Sequence, residues 1–348
     1  MENNPPPIFI YTSPMILLIT NQLDSHPNLV IEKLNALGVP LFRLNTDCLL
    51  TDYDITYTLK NDNISFSLKY KNGTHSISSD EITCVWERRP MEPLYTLTPF
   101  DNKDVEKVLL DEADGFMRFF RYALTGMDLF WIGHPINERR AQSKILQKII
   151  ARRLGFNIPK TIFTNEYSTI TNLDYSDLAI KPISSDHIPY DDSGDLVFYT
   201  RRVSAQQIID LGKSSFENNI NFIEEYTDKL YELRVTLIKD ECFAAKIDSQ
   251  VQKEEEGAVD WRQGYDYGIK FSPTTIPESI AQKCKEYLHY FDLNFGCFDF
   301  IVNKEGEYIF LECNTNGQWV WLEEEARLPI SQKFADVLKE EYERRKKR

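Results

Sequence analysis

Apolar and polar positions in the first 130 residues follow the pattern of an α/β unit. The apolar run Met15–Thr20 predicts a strand, residues 29–37 predict a helix that ends at Gly38, and Val39–Asn45 predicts a second strand. Ile55–Lys60 and Ile64–Lys71 alternate at period two on either side of a polar turn, which predicts a hairpin.

A long amphipathic helix is expected over Asp104–Leu124. Its apolar spacing of three and four predicts a buried face formed by Val105, Leu109, Ala113, Phe116, Phe119 and Phe120. Further along, the pattern predicts a helix Glu138–Leu154, strands Lys160–Phe163 and Leu178–Lys181, mainly strands from Asn221 to Ile276, a helix Glu278–Phe291, a hairpin Gly296–Glu312 and a last helix Ile330–Lys346.

Composition excludes several classes of protein. The 348 residues carry a net charge of −14, which argues against a nucleic-acid partner, because phosphate binding needs a surplus of Lys and Arg. No apolar run approaches the ~18 residues that a membrane helix needs, and no signal peptide is evident. The six cysteines form no CxxC pair. A cytoplasmic protein with reduced thiols and no membrane partner is expected.

The segment Cys297–Asn314 carries the strongest chemical signal. A four-residue loop would pair Asp299 with Phe310, and alternation would then place Asp299, Phe310, Glu312 and Asn314 on one face. Asp299 and Glu312 become diagonal neighbours. Two carboxylates and an amide oxygen suit Mg²⁺ when phosphate oxygens complete its shell. The alternative is that both carboxylates are solvated, but their aromatic neighbours predict burial, where a carboxylate needs a partner.

A second hairpin, residues 231–249, carries charges on one face. A three-residue loop would place Arg234 opposite Lys246 and Glu232 opposite Asp248. Such pairs are unfavourable unless an anion lies between the two cations. Diagonal ion pairs, Glu232 with Lys246 and Arg234 with Asp248, are the alternative. Arg262 would add a third cation.

The order of these pieces resembles that of a known family. Lys144, Lys181-Pro182, the segment Phe222–Tyr226, Glu232-Leu-Arg234, Asp299 and Glu312-Cys-Asn314 follow one another as in the ATP-grasp ligases, whose two α+β lobes hold ATP. Residues 143–147, 158–161, 244–250, 260–262 and 312–319 are similar to the microviridin-type peptide ligases, the graspetide macrocyclases. Trp86–Pro90 extends the resemblance into the N-terminal domain.

The resemblance implies an α/β ATP-grasp fold with an N-terminal pre-ATP-grasp domain (1–130), a central lobe (131–220) and a C-terminal lobe (221–348). It implies these roles: Lys144 and Lys181 contact ATP phosphates; Glu224, Glu225 and Tyr226 form the adenine hinge through backbone groups; Asp299, Glu312 and Asn314 hold Mg²⁺; Arg234 steadies the acyl phosphate, with Lys246 and Arg262 as further candidates. The usual glycine-rich phosphate loop after Lys181 is not evident.

The activity that follows is ATP-dependent activation of an Asp or Glu side chain in a precursor peptide, captured by a hydroxyl or amine of the same peptide. Asp248 or Glu232 would serve as the general base. A leader segment of the peptide is expected to dock near Asp186–Arg202, and the resemblance suggests a homodimer. Two alternatives stay open: an amino-acid-adding ATP-grasp ligase of the glutathione-synthetase or glutamate-ligase kind, and a non-catalytic nucleotide-binding module.

Overall fold

The N-terminal part of the computed structural model is built on a parallel sheet. The structure describes residues 14–60, 63–98, 100–184, 187–191, 194–251, 255–263 and 268–347. The first elements are β1 Met15–Thr20, α1 His26–Ala36, β2 Leu41–Asn45, α2 Leu49–Asp52, β3 Tyr53–Lys60, β4 Asn63–Tyr70, β5 Ser76–Ser78, β6 Ile82–Glu87, α3 Lys103–Leu124 and β7 Phe130–Ile132. Four strands pair in the order β2-β1-β6-β7, all parallel, and β3-β4-β5 form an antiparallel sheet. The predicted α/β unit and its hairpin are confirmed.

The predicted buried face of α3 is only partly correct. Ala113 and Phe120 are buried, together with Met117 and Leu124, which recur at helical spacing. Phe119, however, is 73% exposed, because it lies on the side of α3 that faces away from the sheet. Val105 and Leu109 are also exposed.

The central part has its own sheet. Its elements are α4 Pro135–Ala141, α5 Lys144–Arg153, β8 Thr161–Thr164, α6 Tyr167–Thr171, β9 Asp177–Lys181, β10 His187–Asp191, β11 Gly194–Val197, β12 Arg201–Ser204, α7 Ala205–Leu211, α8 Lys213–Glu217 and β13 Asn221–Glu225. The antiparallel sheet has the order β12-β9-β13-β8, and β10 pairs with β11. Since β13 belongs to this sheet, we propose that the central unit extends beyond residue 220 to Glu225.

The prediction of one helix over Glu138–Leu154 is wrong. The chain forms α4 and α5 instead, and Ser143 separates them because its hydroxyl accepts the Leu146 amide N–H at 3.4 Å as an N-cap. This break makes Lys144 the first residue of α5.

The C-terminal part contains the largest sheet. Its elements are β14 Tyr231–Ile238, β15 Glu241–Ile247, α9 Glu255–Val259, β16 Phe271–Thr274, α10 Glu278–Phe291, β17 Phe295–Val302, β18 Tyr308–Asn314, α11 Val320–Ala326 and α12 Ile330–Lys346. Five antiparallel strands follow the order β16-β15-β14-β17-β18. The predicted bounds of α10 and α12 are confirmed at both ends.

Two interfaces join the parts. Helix α12 packs on α1 and β6 of the N-terminal part, where the Trp86 and Phe334 rings stack at 5.1 Å. Helix α5 packs on β18, and its Gln147 side chain donates to Cys313 O at 2.9 Å and accepts from Cys313 N at 3.0 Å. No helix in the described residues is long and apolar enough to cross a membrane.

Candidate active site

The hairpin of β17 and β18 brings the predicted metal ligands together, although in a different register. Phe310 pairs with Phe300, and an irregularity between Asp299 and Phe300 then places Asp299 directly opposite Glu312. The predicted pairing of Asp299 with Phe310 is therefore wrong. The irregularity reverses the predicted orientation of Phe310, which is fully buried in the apolar core with Phe300.

Asn314 ties the two carboxylates together. Its Nδ2 donates to Asp299 Oδ2 at 3.1 Å and to Glu312 Oε1 at 3.2 Å. A cation reaches each carboxylate from outside the hairpin: Arg234 Nη1 lies 2.5 Å from Asp299 Oδ2, and Lys144 Nζ forms an ion pair with Glu312. These five side chains form one continuous polar row.

The two carboxyl groups have opposite pKa shifts. Burial raises the pKa of Asp299 to about 6, against the effect of Arg234, and the charge of Glu312 adds to the rise. For Glu312 burial acts in the same direction, but Lys144 outweighs it and holds the pKa well below its usual range. Lys144 therefore stabilises the ionised form of Glu312 strongly, whereas Arg234 only partly offsets the effect of burial on Asp299.

The hairpin of β14 and β15 has a two-residue turn in place of the predicted three-residue loop. Ile238 pairs with Glu241, and Lys239 adopts a left-handed φ of 53° in the turn. Arg234 consequently lies opposite Ala245, while Lys246 lies opposite Leu233 on the other face of the sheet. The predicted pair of Arg234 and Lys246 is not formed.

The other residues of the predicted cationic cluster have local partners. Lys246 Nζ lies 3.6 Å from Asp248 Oδ2, and Arg262 makes paired contacts to Asp260 at 3.0 and 2.8 Å. Arg234 is 7% exposed, and Asp299 raises the pKa of its guanidinium although burial opposes this. Through Asp299, Arg234 joins the row of polar side chains on β17 and β18.

Glu232 and Asp248, the predicted bases, occupy different positions. Glu232 lies two residues before Arg234 on β14, hence on the same face, and its Oε1 accepts from Lys229 Nζ at 2.7 Å. Its charge contributes to the raised pKa of Asp299. Asp248 follows the last residue of β15. The sheet therefore brings Glu232, rather than Asp248, towards the row.

Glu224 uses its side chain in a way that the sequence does not predict. The carboxylate is 1% exposed and lies between two ammonium groups, with Lys181 Nζ 2.5 Å from Oε2 and Lys148 Nζ 2.5 Å from Oε1. Thr161 Oγ1 is 3.3 Å from Oε1. Although burial opposes ionisation, Lys181 and Lys148 keep the pKa of Glu224 below its usual value.

The neighbouring hinge residues already use their backbone amides. Glu225 N donates to Lys160 O at 2.9 Å, and Tyr226 N donates to Asp177 O at 2.8 Å. The Tyr226 ring carries the Arg202 guanidinium 4.1 Å from its centroid. An adenine ring bound at this hinge would therefore have to bond to backbone groups other than the N–H groups of Glu225 and Tyr226.

Three important residues received no role in the sequence analysis. Lys148 is one helical turn beyond Lys144, a spacing that could have indicated it. Gln147 ends the similar segment 143–147, but its role comes from the packing of α5 on β18. Arg88, which is 1% exposed, forms an ion pair with Asp24 at 2.8 Å and donates to Gly317 O at 3.1 Å, which ties the N-terminal part to the turn after Asn314.

Comparison with known proteins shows similarity along nearly the whole chain. Residues 15–138 match the MvdD pre-ATP grasp domain model. A Chryseobacterium gregarium RiPP-associated ATP-grasp ligase, solved with ADP and a leader and core peptide, is 27% identical, with a TM-score of 0.81 over 94% of this chain and 97% of that chain. Macrocyclase MdnC from Microcystis aeruginosa MRC, solved with precursor peptide MdnA, is 25% identical, with a TM-score of 0.77 over 93% and 99%.

Macrocyclase MdnB from the same organism is 26% identical, with a TM-score of 0.72 over 93% of this chain and 99% of that chain. A comparison with curated protein sequences finds no significant match. The predicted ATP-grasp fold and its N-terminal domain are confirmed. Over nearly its whole length the chain is similar to ATP-grasp ligases of the kind that includes the graspetide macrocyclases, and its N-terminal part matches the MvdD pre-ATP grasp domain.

Proposed function

We propose that this ligase uses ATP and Mg²⁺ to activate Asp or Glu side chains of a ribosomally made precursor peptide as acyl phosphates, and then closes esters with Thr or Ser, or amides with Lys. The observation that carries the proposal is the continuous row of Lys144, Glu312, Asn314, Asp299 and Arg234. Similar proteins solved with ADP and peptides support the choice of substrates.

The row fits Mg²⁺ by the chemistry of its donors. Asp299 and Glu312 offer carboxylate oxygens, and Nδ2 of Asn314 orients both groups; rotation of this amide would turn its oxygen towards the metal as a third donor. The described residues contain no cluster of three or more His, Cys, Asp or Glu side chains that would form a protein-only cage. This suits a metal that keeps waters and phosphate oxygens in its shell. Bound Mg²⁺ would neutralise charge on the transferring phosphoryl group.

The cations around the row suit the negative charges of the ATP phosphates and of the acyl phosphate. Lys144 and Lys181 would contact the phosphates, as the resemblance implies. We assign the buried guanidinium of Arg234 to the negative charge of the acyl phosphate, where a preorganised cation would lower the barrier. Glu232 lies on the same face and would accept the proton of the attacking hydroxyl or amine. Lys246 and Arg262 stay further candidates for stabilising this charge; Lys246 contacts Asp248 and Arg262 contacts Asp260.

We place leader docking in the central part, near residues 186–202. The β10–β11 hairpin and β12 lie there, while residues 185–186 and 192–193 are outside the described part of the chain. Deletion of Asp186–Gly194 should weaken binding of a leader peptide and leave ADP binding unchanged. Unchanged leader affinity, measured by fluorescence anisotropy, would contradict this placement.

A homodimer is the assembly that we propose. Helix α3 exposes several large apolar side chains, with Val108 at 58%, Phe119 at 73% and Tyr122 at 42%. Exposed apolar groups that cluster on one helix are typical of an interface. Analytical ultracentrifugation should give twice the chain mass, and Phe119→Glu should shift the protein to monomers. A wild-type monomer at all concentrations would contradict the proposal.

Intact mass of the peptide tests the activity. A candidate precursor peptide incubated with the protein, ATP and Mg²⁺ should lose about 18 Da for each ring, because each capture of an acyl phosphate removes one water equivalent in total. One ADP must form for each ring that is closed. A mass increase would indicate an amino-acid-adding ligase instead. Nucleotide binding without ADP release, for any peptide tested, would favour a non-catalytic module.

A further inference from the structure

The helix that carries Lys144 places a second lysine, Lys148, beside the proposed nucleotide site. Lys148 is 6% exposed, and it lies on the same face of α5 because residues four apart are neighbours on a helix. Its Nζ is 5.8 Å from the centroid of the Phe310 ring and 2.5 Å from Glu224 Oε1. A buried ammonium needs such a partner, since burial of an unpaired charge is strongly unfavourable.

Lys148 and Lys181 share one carboxylate. Each Nζ lies 2.5 Å from a different oxygen of Glu224, and both side chains are largely buried. Two ammonium groups against one carboxylate leave an excess positive charge. In a low-dielectric site this excess attracts an anion such as a nucleotide phosphate.

We propose that Lys148 is a positioning residue for nucleotide binding, because it competes with Lys181 for Glu224 and so leaves Lys181 available to a phosphate. This inference rests on the proposed function. Without the ammonium of Lys148, Glu224 and Lys181 form a neutral one-to-one pair. A phosphate then has to displace the Glu224 carboxylate from Lys181, and it finds no excess positive charge at the site.

The decisive measurement is ADP and ATP affinity by isothermal titration calorimetry, without Mg²⁺ or peptide. Lys148→Met should weaken binding about 10-fold, as expected for the loss of one charge-assisted interaction. Arg153→Met is the matched control: it removes one positive charge from an exposed position on another side of the same helix and should change affinity less than 2-fold. An equal loss in both variants would show that only the net charge of the helix matters, and would overturn the inference.

A double variant tests whether Lys148 acts through Glu224. In Lys148→Met/Glu224→Gln the carboxylate that holds Lys181 is also removed, so affinity should recover to within about 3-fold of wild type. If Lys148 contacted the phosphate itself, Lys148→Met would weaken binding as much in the Glu224→Gln background as in the wild type, whereas an action through Glu224 predicts little further loss there. Thermal unfolding of each variant separates loss of fold from loss of affinity.

The pH profile adds a readout that a purely structural lysine would not give. Burial lowers the pKa of Lys148 to about 8, partly offset by Glu224 and Glu312, while Lys181 adds to the decrease. Wild-type affinity should therefore decline as the pH rises through about 8, and Lys148→Met should lack this step. Absence of the step in wild type would count against the inference. Failure of the wild type to bind any nucleotide would contradict the proposed function itself.

Discussion

The two carboxylate sites of this ligase differ in the balance of their charges. At Glu224 one carboxylate faces two ammonium groups, Lys148 and Lys181. On β17 and β18 the carboxylates of Asp299 and Glu312 each have one cation, and an amide joins them. The first site has an excess of positive charge, which suits phosphate. The second has an excess of oxygen donors, which suits a hard cation.

Helix α5 connects these two sites. Lys144 reaches Glu312, and Lys148, one turn later, reaches Glu224. The same helix therefore contributes one cation to the proposed metal site and one to the proposed phosphate site. Substitutions that affect one site without the other should separate metal dependence from nucleotide affinity.

The largest effect is expected at the proposed metal site. Glu312→Gln and Asp299→Asn should each lower cyclisation at least ~100-fold, because a positioned charge is lost where the transition state needs it. Mg-free ADP affinity should stay the same or rise in Glu312→Gln, since Lys144 loses its carboxylate partner and becomes free for phosphate. Activity is measured by peptide mass and affinity by calorimetry.

Glu324→Gln is the control, because Glu324 is exposed on α11 and should retain full activity. A 10-fold weaker Mg-free ADP affinity in Glu312→Gln would show that the two sites are not separable in this way.

At the proposed phosphate site we expect a substitution to lower ADP affinity and to leave the Mg²⁺ dependence unchanged. Lys181→Met should weaken ADP binding about 10- to 100-fold with or without Mg²⁺, the range for a lost hydrogen bond to a charged group. The Mg²⁺ concentration that gives half-maximal activity at saturating ATP should change little. Lys213→Met, an exposed lysine of α8, is the control. A change in Mg²⁺ dependence larger than the change in ADP affinity would contradict the assignment.

The sequence predicted which residues form these sites better than it predicted which residues contact one another. Asp299, Glu312, Asn314 and Arg234 were named from hairpin patterns or the resemblance, and the fold brings all four together. The predicted register was one residue wrong in the β14–β15 hairpin and two residues wrong at Asp299 in the β17–β18 hairpin. Turn length and a strand irregularity decide a register, and neither is specified by the alternation of apolar and polar residues.

Contacts between distant elements could not be predicted at all. The side chain of Glu224 was expected only as part of a hinge, yet it holds two lysines from α5 and β9. Lys246 looked like a partner of Arg234, but the two-residue turn moves it to the other face. Such contacts depend on how separate elements pack, which local pattern does not encode.

Gln147 tests whether the position of α5 is what couples the two sites. Its amide bonds the backbone of Cys313 at 2.9 and 3.0 Å and donates to Ala141 O at 2.7 Å. Gln147→Leu keeps the volume but leaves buried backbone groups unpaired, so the free energy of unfolding should fall by about 2–3 kcal/mol in urea titrations. Mg²⁺ dependence and ADP affinity should weaken together.

Gln282→Leu, an exposed glutamine of α10 whose side chain donates to Glu286, serves as the control and should change stability by less than ~0.5 kcal/mol. If Gln147→Leu lowered stability but left both binding properties unchanged, the position of α5 would not be what couples the sites.

The smallest effect is expected at Thr161, the third neighbour of Glu224. Its hydroxyl lies 3.3 Å from Glu224 Oε1, and it also lies 2.9 Å from Pro159 O, so the single proton is shared between two acceptors. Thr161→Val should therefore change ADP affinity by less than about 3-fold in calorimetry, because the two ammonium groups still hold the carboxylate. A loss as large as that of Lys181→Met would mean that the hydroxyl, rather than the two lysines, fixes Glu224. The charge imbalance would then not explain why this site suits phosphate.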